Sequence, residues 1–242
     1  MTENYKETQI DFSREFYENR IKCFSYLPKK KDITEEIKKF DCSEMWTKYS
    51  NKTSQNGVIG QNYQRIRIHI STVIKDKVQA NKYMVFGKSK VKNIICSFKG
   101  AIKIVNAYEF TEEDNGYKRT GGVLLAEYQF DEEGCRATSR GTFKGVLESE
   151  FVLDKKLGKA LLDDSNSTAD GYANNTFVGT WTGHSTGEAK KCIWGDYRLP
   201  FTFDFDVGDG EMHVNDKYKK NGWDSFVDDP LTDLYERWWL SK

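Results

Sequence analysis

Read in steps of two from Ile94, the chain sets Ile94, Cys96, Phe98, Gly100, Ile102, Ile104, Asn106, Tyr108 and Phe110 on one side of an extended segment. Mostly polar or small residues lie between them, and a period of two sustained this long predicts a half-buried strand. Asn115-Gly116 predicts a tight hairpin, after which Gly122, Leu124, Ala126, Tyr128 and Phe130 resume the row. A third row runs from Ala137 through Gly141, Phe143, Gly145, Leu147 and Phe151 to Leu153. Arg136, Arg140, Lys144, Glu148 and Glu150 oppose it and face solvent on this reading. Ile66, Ile68, Ile70 and Ile74 alternate with Arg65, Arg67, His69 and Lys75 and read as the entry strand. Ile193, Tyr197, Leu199, Phe201, Phe203, Phe205 and Val207 form the last long row, with Pro200 implying a bulge midway, and a turn at VGDGE leads to a short strand at 212–214.

About eight strands joined mostly by hairpins make a mainly β fold. An antiparallel meander with one apolar face closes most economically into a barrel, because closure removes both edges. The glycines of the inward rows either relieve crowding or leave a cavity. Asp32-Ile33-Thr34-Glu35 resembles a capping box, so the first forty-odd residues read as two short helices. Asp229-Pro230 starts a terminal helix whose Leu231, Leu234, Tyr235 and Trp238 share one face. The expected layout is a helical extension over 1–55, a barrel over 56–228 and a helix over 229–242, effectively one domain.

A further inward row, Phe177, Gly179, Trp181, Gly183 and Ser185, runs through FVGTWTGHSTG. In GTWTG, residues 179–183, the chain resembles the calycin barrels: lipocalins, avidins and the haem-binding nitrobindins. The resemblance implies that Trp181 plugs one end of a calycin-like barrel. A haem would need an axial histidine, and His184 and His69 both fall on the wrong face for it.

Composition narrows the function classes. The 242 residues include 15 Phe, 13 Tyr and 6 Trp, large burial units for a chain that is 31% charged. Net charge is zero, which gives no global field for nucleic acid. Ten Lys/Arg against Asp76 alone fall within 58–103, and eleven acids against four bases within 196–236. No stretch reaches the length of a membrane span and no signal-like start is evident, so a cytoplasmic setting is expected. Five scattered cysteines without a C-x-x-C spacing read as reduced thiols, and neither metal nor cofactor is expected.

The richest polar cluster is Trp194, Asp196, Arg198, Glu211, His213 and Trp223, within thirty residues around a hairpin. A planar guanidinium between indole walls suits a small polar or anionic ligand. The sequence therefore reads as a barrel that binds a small molecule or a protein partner without transforming it. One alternative makes Glu211, His213 and Asp196 acid/base groups of an enzyme at the barrel mouth. Another makes Arg65, Arg67, His69, Arg136, Arg140 and Lys144 an outer face for anions or nucleic acid.

Overall fold

The computed structural model describes residues 12–49, 52–114 and 117–241. Among them ten strands form one sheet: β1 (Lys31–Asp32), β2 (Gln55–Ile59), β3 (Gln64–Lys75), β4 (Lys82–Val91), β5 (Ile94–Asp114), β6 (Tyr117–Glu133), β7 (Gly141–Asp154), β8 (Lys159–Leu162), β9 (Ala173–Gly183) and β10 (Ala189–Tyr197). Eight of these close into an antiparallel barrel. β2 to β7 pair in chain order, β7 then pairs β9, and β10 returns to β2. The mainly β fold and the closed eight-stranded meander are as the alternating rows predict. The Asn115-Gly116 turn lies outside the described residues, and Asp114 and Tyr117 on either side of it are paired. The entry strand is β2 rather than β3, and β3 is the second strand of the ring.

Two bulges reset the face of long strands. The register of β3 against β4 shifts between Ile70 and Thr72, so Val73 turns to the core and Ile74 is 53% exposed. The shift in β5 between Ile104 and Asn106 turns Ala107 inward and leaves Phe110 on the outer side. A bulge inserts one residue against the partner strand, and a one-residue slip exchanges the two faces.

The barrel interior is filled with rings over much of its length. Phe177 and Trp194 stack at 4.7 Å, and Tyr128 meets Trp194 edge-on at 5.2 Å. Gly145 and Gly179 make room for them. A Cβ on Gly179 would lie 2.1 Å from the Lys144 carbonyl and 2.7 Å from the Tyr128 hydroxyl, so here glycine serves close approach. At one end Ile33, Ile37, Phe40, Met45 and Trp46 join the same core, with 3₁₀ turns in place of the expected second helix.

A second apolar layer lies outside the barrel. Val58, Leu125, Val178 and Ile193, from the outward rows, pack under helix α1 (Phe12–Phe24) and under the segment carrying Leu199, Phe205 and Trp223. Glu148 belongs to this covered face and not to solvent. Arg20 of α1 grips both its oxygens, Nη2 to Oε1 at 2.6 Å, while burial pushes the carboxyl up against that pull. The row expected through Val207 stops at Tyr197; Phe203 is 76% exposed, and 212–214 contributes only a bridge from Val214 to Asp206.

Helices α2 (Asp224–Asp228) and α3 (Pro230–Tyr235) lie over the outer face of β3. Asp229 caps α3 by accepting the Thr232 N–H at 3.2 Å, as the Asp-Pro signal predicts. The docking face differs from the expected stripe, since Leu231 and Tyr235 are largely exposed. Asp233 does the docking, 3% exposed, with its carboxylate held by Arg65 at 2.5 and 2.8 Å. Trp238 and Trp239 complete the cover, Trp239 stacking on His69 at 4.2 Å. Cys96 and Cys135 are joined as a disulfide with Cα atoms 4.9 Å apart, contrary to the expectation of five thiols. The β5–β6 pairing causes it, because Ser97 opposite Glu133 brings both flanking cysteines together.

Candidate functional site: a tyrosine-walled cleft at Asp196

The site is built where β9 and β10 lose register. A bulge between Trp194 and Asp196 leaves Asn175 with φ of 45°, a left-handed conformation that asparagine tolerates better than most residues. Its amide then points at the end of β10, donating to Asp196 Oδ2 at 2.8 Å and to the Met45 carbonyl at 3.2 Å. Gln55, at the start of β2, donates to Asp196 Oδ1 at 2.9 Å. Two neutral amides are thus the hydrogen-bond partners of this carboxylate, and no ion pair to it is present among the described residues. Burial raises the Asp196 carboxyl to about 6, with the two amides pulling the other way. Some of its surface still reaches solvent, through the cleft.

That cleft has a volume of about 500 Å³ and lies between the ends of β2 and β10, the loop around Tyr172 and helix α3. Tyr49, Tyr172, Tyr197 and Tyr235 supply aromatic walls. Tyr172 is fixed by donating to the Asp163 carbonyl at 3.0 Å, and Tyr197 meets it edge-on at 5.1 Å with φ of 67°. The charged lining is mostly acidic: Asp164, Asp170, Asp196 and Glu211 against Lys52 and Arg198.

A hole of about 40 Å³ adjoins the cleft, sharing Tyr49, Thr53, Gln55 and Asp196 with it. His69 and Asn175 also line the hole. Gln55 Oε1 and His69 Nδ1 are buried atoms without a hydrogen-bond partner. Burial holds His69 neutral, its value lowered to about 4, with the Thr53 backbone pulling the other way. The volume exceeds what a single water needs.

The sequence cluster comes together only in part. Asp196, Arg198 and Glu211 line the cleft. Arg198 is already engaged, with Asp206 at 2.7 Å and the carbonyls of Asp209 and Gly208 around its fork. Burial alone would raise Asp206; Arg198 and the N–H groups of His213 and Gly208 hold it below its ordinary value. The glycine-rich DVGDGE loop therefore wraps an arginine. Trp194 is fully buried inside the barrel, because its row is the inward one, and it does not touch the cleft. Trp223 is fully buried in the outer layer, donating to the Tyr63 carbonyl at 2.9 Å. His213 is exposed and outside the cleft lining, and Glu211 is exposed on its wall.

Of the proposed anion-binding face, Arg65, Arg67 and His69 are each about 5–6% exposed beneath the C-terminal segment. Arg67 pairs with Glu236, and Arg140 is spent on the Cys135 carbonyl. Gln55, Asn175 and Tyr172 are the site residues that alternation cannot find, since each acts at a strand end or bulge.

At the opposite end the barrel opens into a larger cavity of about 890 Å³. Trp181 lines this mouth and donates to Glu132 Oε2 at 2.8 Å, so the tryptophan of GTWTG sits at a barrel end, partly buried. Glu132 also accepts from Ser89 and from the Gly141 N–H at 3.0 Å, and burial raises its carboxyl. Set against known proteins, the chain matches no family model, no curated protein and no solved structure.

Proposed function

We propose that this barrel binds a small molecule in the cleft at Asp196 and holds it without transforming it. The observation that carries the reading is a carboxylate without a cation, buried against two amides, at the wall of a cavity of ligand size. Such a group costs stability unless something outside the fold compensates it. Glu211 and His213, the other acid/base candidates, stand in solvent and give Asp196 no partner for proton transfer. The mouth cavity is larger, but volume does not decide the matter, because Glu132 and Trp181 there already satisfy one another. The Cys96–Cys135 disulfide favours an oxidising compartment over the cytoplasmic setting expected from the sequence. Amide chemical-shift mapping during a fragment screen tests the proposal. Shifts are expected at residues 52–56, 170–172, 195–198 and 234–235; shifts confined to the mouth, at 60–64 and 188–191, would overturn it.

A further inference from the structure

Resting on that reading, we infer that the ligand is an organic cation: a protonated amine whose head enters the hole beside Asp196 while a flat apolar body lies between the tyrosines. Around the hole both side-chain amide donors are spent, Gln55 Nε2 on Asp196 and Asn175 Nδ2 on Asp196 and Met45. What remains is acceptor capacity, on the Asp196 carboxylate and on Gln55 Oε1. An ammonium group brings three N–H donors and a positive charge, and so answers both deficits at once. A neutral hydroxyl answers only part of the first. An anion would meet further acceptors, and Arg198, the cation it would seek, is already enclosed by Asp206 and two carbonyls.

The walls fit the same class. Tyrosine faces attract cations and pack against flat apolar groups, and the four acids of the cleft outnumber its two bases. The cation lining the hole, Lys48, is held away from Asp196 by Asp164 at 2.7 Å and lies 5.4 Å from the Tyr49 ring. The titratable groups that line the hole with Asp196 are His69 from β3 and Lys48 and Tyr49 from the segment before β2; on the cleft side stand Tyr172, Asp164 and Asp170 from the loop, Lys52 before β2, Tyr197 and Arg198 after Asp196, Glu211 from the DVGDGE loop and Tyr235 from α3. His69 stays neutral above about pH 5, and Lys48 and Tyr49 are both raised, so within the hole the charge that changes between pH 5 and 7.5 is that of Asp196.

Three probes of one size separate the class from the cleft: benzylamine, benzyl alcohol and benzoate, titrated into the whole chain with binding read by protein NMR. Benzylamine at pH 7.5 is expected to bind at least about tenfold tighter than benzyl alcohol, and benzoate more weakly than either. Lowering the pH to 5 protonates most of Asp196 and should weaken benzylamine about tenfold, with benzyl alcohol unchanged. Asp196→Asn should abolish the preference for the amine. Tight binding of the alcohol in the cleft, or an amine affinity indifferent to pH and to Asp196→Asn, overturns the cation and leaves the cleft standing. No shift at the cleft with any probe overturns both.

Discussion

Asp233→Ala should release the C-terminal segment at a cost of about 3–5 kcal/mol. In the folded chain the Arg65 side chain is 5% exposed and that of Asp233 1%, and two hydrogen bonds of 2.5 and 2.8 Å join them. Ser225 adds a third contact to Asp233 at 2.7 Å, and Arg67 stands 3.9 Å away. Truncating the acid leaves two buried guanidinium groups facing one another with less opposing charge, the situation in which breaking a buried pair is most costly. Asn56 still accepts from Arg65, and the rings of Trp223 and Phe226 still cover it at 5.2 and 5.5 Å, which argues for the lower half of the range. Arg65 and Asp233 both replaced by apolar residues of similar volume should cost far less than Asp233→Ala alone, because neither charge is then stranded. Urea unfolding followed by tryptophan fluorescence reads both. The sign with pH follows from the depressed Asp233 and Glu236 values: their stabilisation is fully present above the ordinary carboxylate range and is lost as pH falls through the folded values. If Asp233→Ala unfolds within about 1 kcal/mol of wild type, the pair is not what anchors the segment.

Trp181→Ala should destabilise by about 3 kcal/mol, since it empties the space over Gly141 and removes one of three donors from Glu132; an unchanged urea midpoint would contradict it. Denaturing alkylation without reductant should label three cysteines, and five after reduction, by intact mass; five at once would refute the Cys96–Cys135 link. His69 should show no titration of its ring shifts between pH 8 and about 5, as burial depresses it; an inflection near its ordinary value would mean that the Trp239 cover opens readily.

How far the sequence discloses the molecule depends on which faces are covered. Period-two alternation finds Phe98, Tyr128, Phe143 and Phe177 as inward residues because the inside of a closed barrel is apolar whatever lies outside. It assigns Arg65, Arg67 and Glu148 to solvent because alternation carries no record of a distant helix laid over the polar row. β2 goes unnoticed for being five residues long with a central glycine, and the tail of the β5 row changes face at a bulge that leaves no mark in composition. The site is half legible. Asp196 and Arg198 share a row and stand out together, yet Arg198 turns into the DVGDGE loop while Asp196 is met by Gln55 from 141 positions away. Contacts of that separation are set by closure of the barrel, and no local pattern encodes them.

A ligand anchor that weakens the fold should be recognisable by its removal. Asp196→Asn is expected to stabilise the chain by about 1–2 kcal/mol at pH 8, after allowance for the solvent that reaches the carboxylate from the cleft. The replacement removes the desolvated charge and keeps the shape. It also brings an N–H₂ group where a carboxylate oxygen stood, which a half-turn of the Gln55 amide accommodates: its carbonyl, unpartnered in the wild type, then accepts from the introduced amide, and its N–H₂ turns to the acceptor side of the hole. The sign with pH separates this from a generic packing gain. The folded Asp196 value lies above the unfolded one, so the folded wild type holds more protons between them, and its stability rises as pH falls from about 6 towards 4. The advantage of Asp196→Asn should therefore be largest above pH 6 and shrink across that window. A variant less stable than wild type at pH 8, or a gain that stays constant from pH 8 to 4, would mean that Asp196 is compensated within the fold and that the cleft has no unmet charge to offer a ligand.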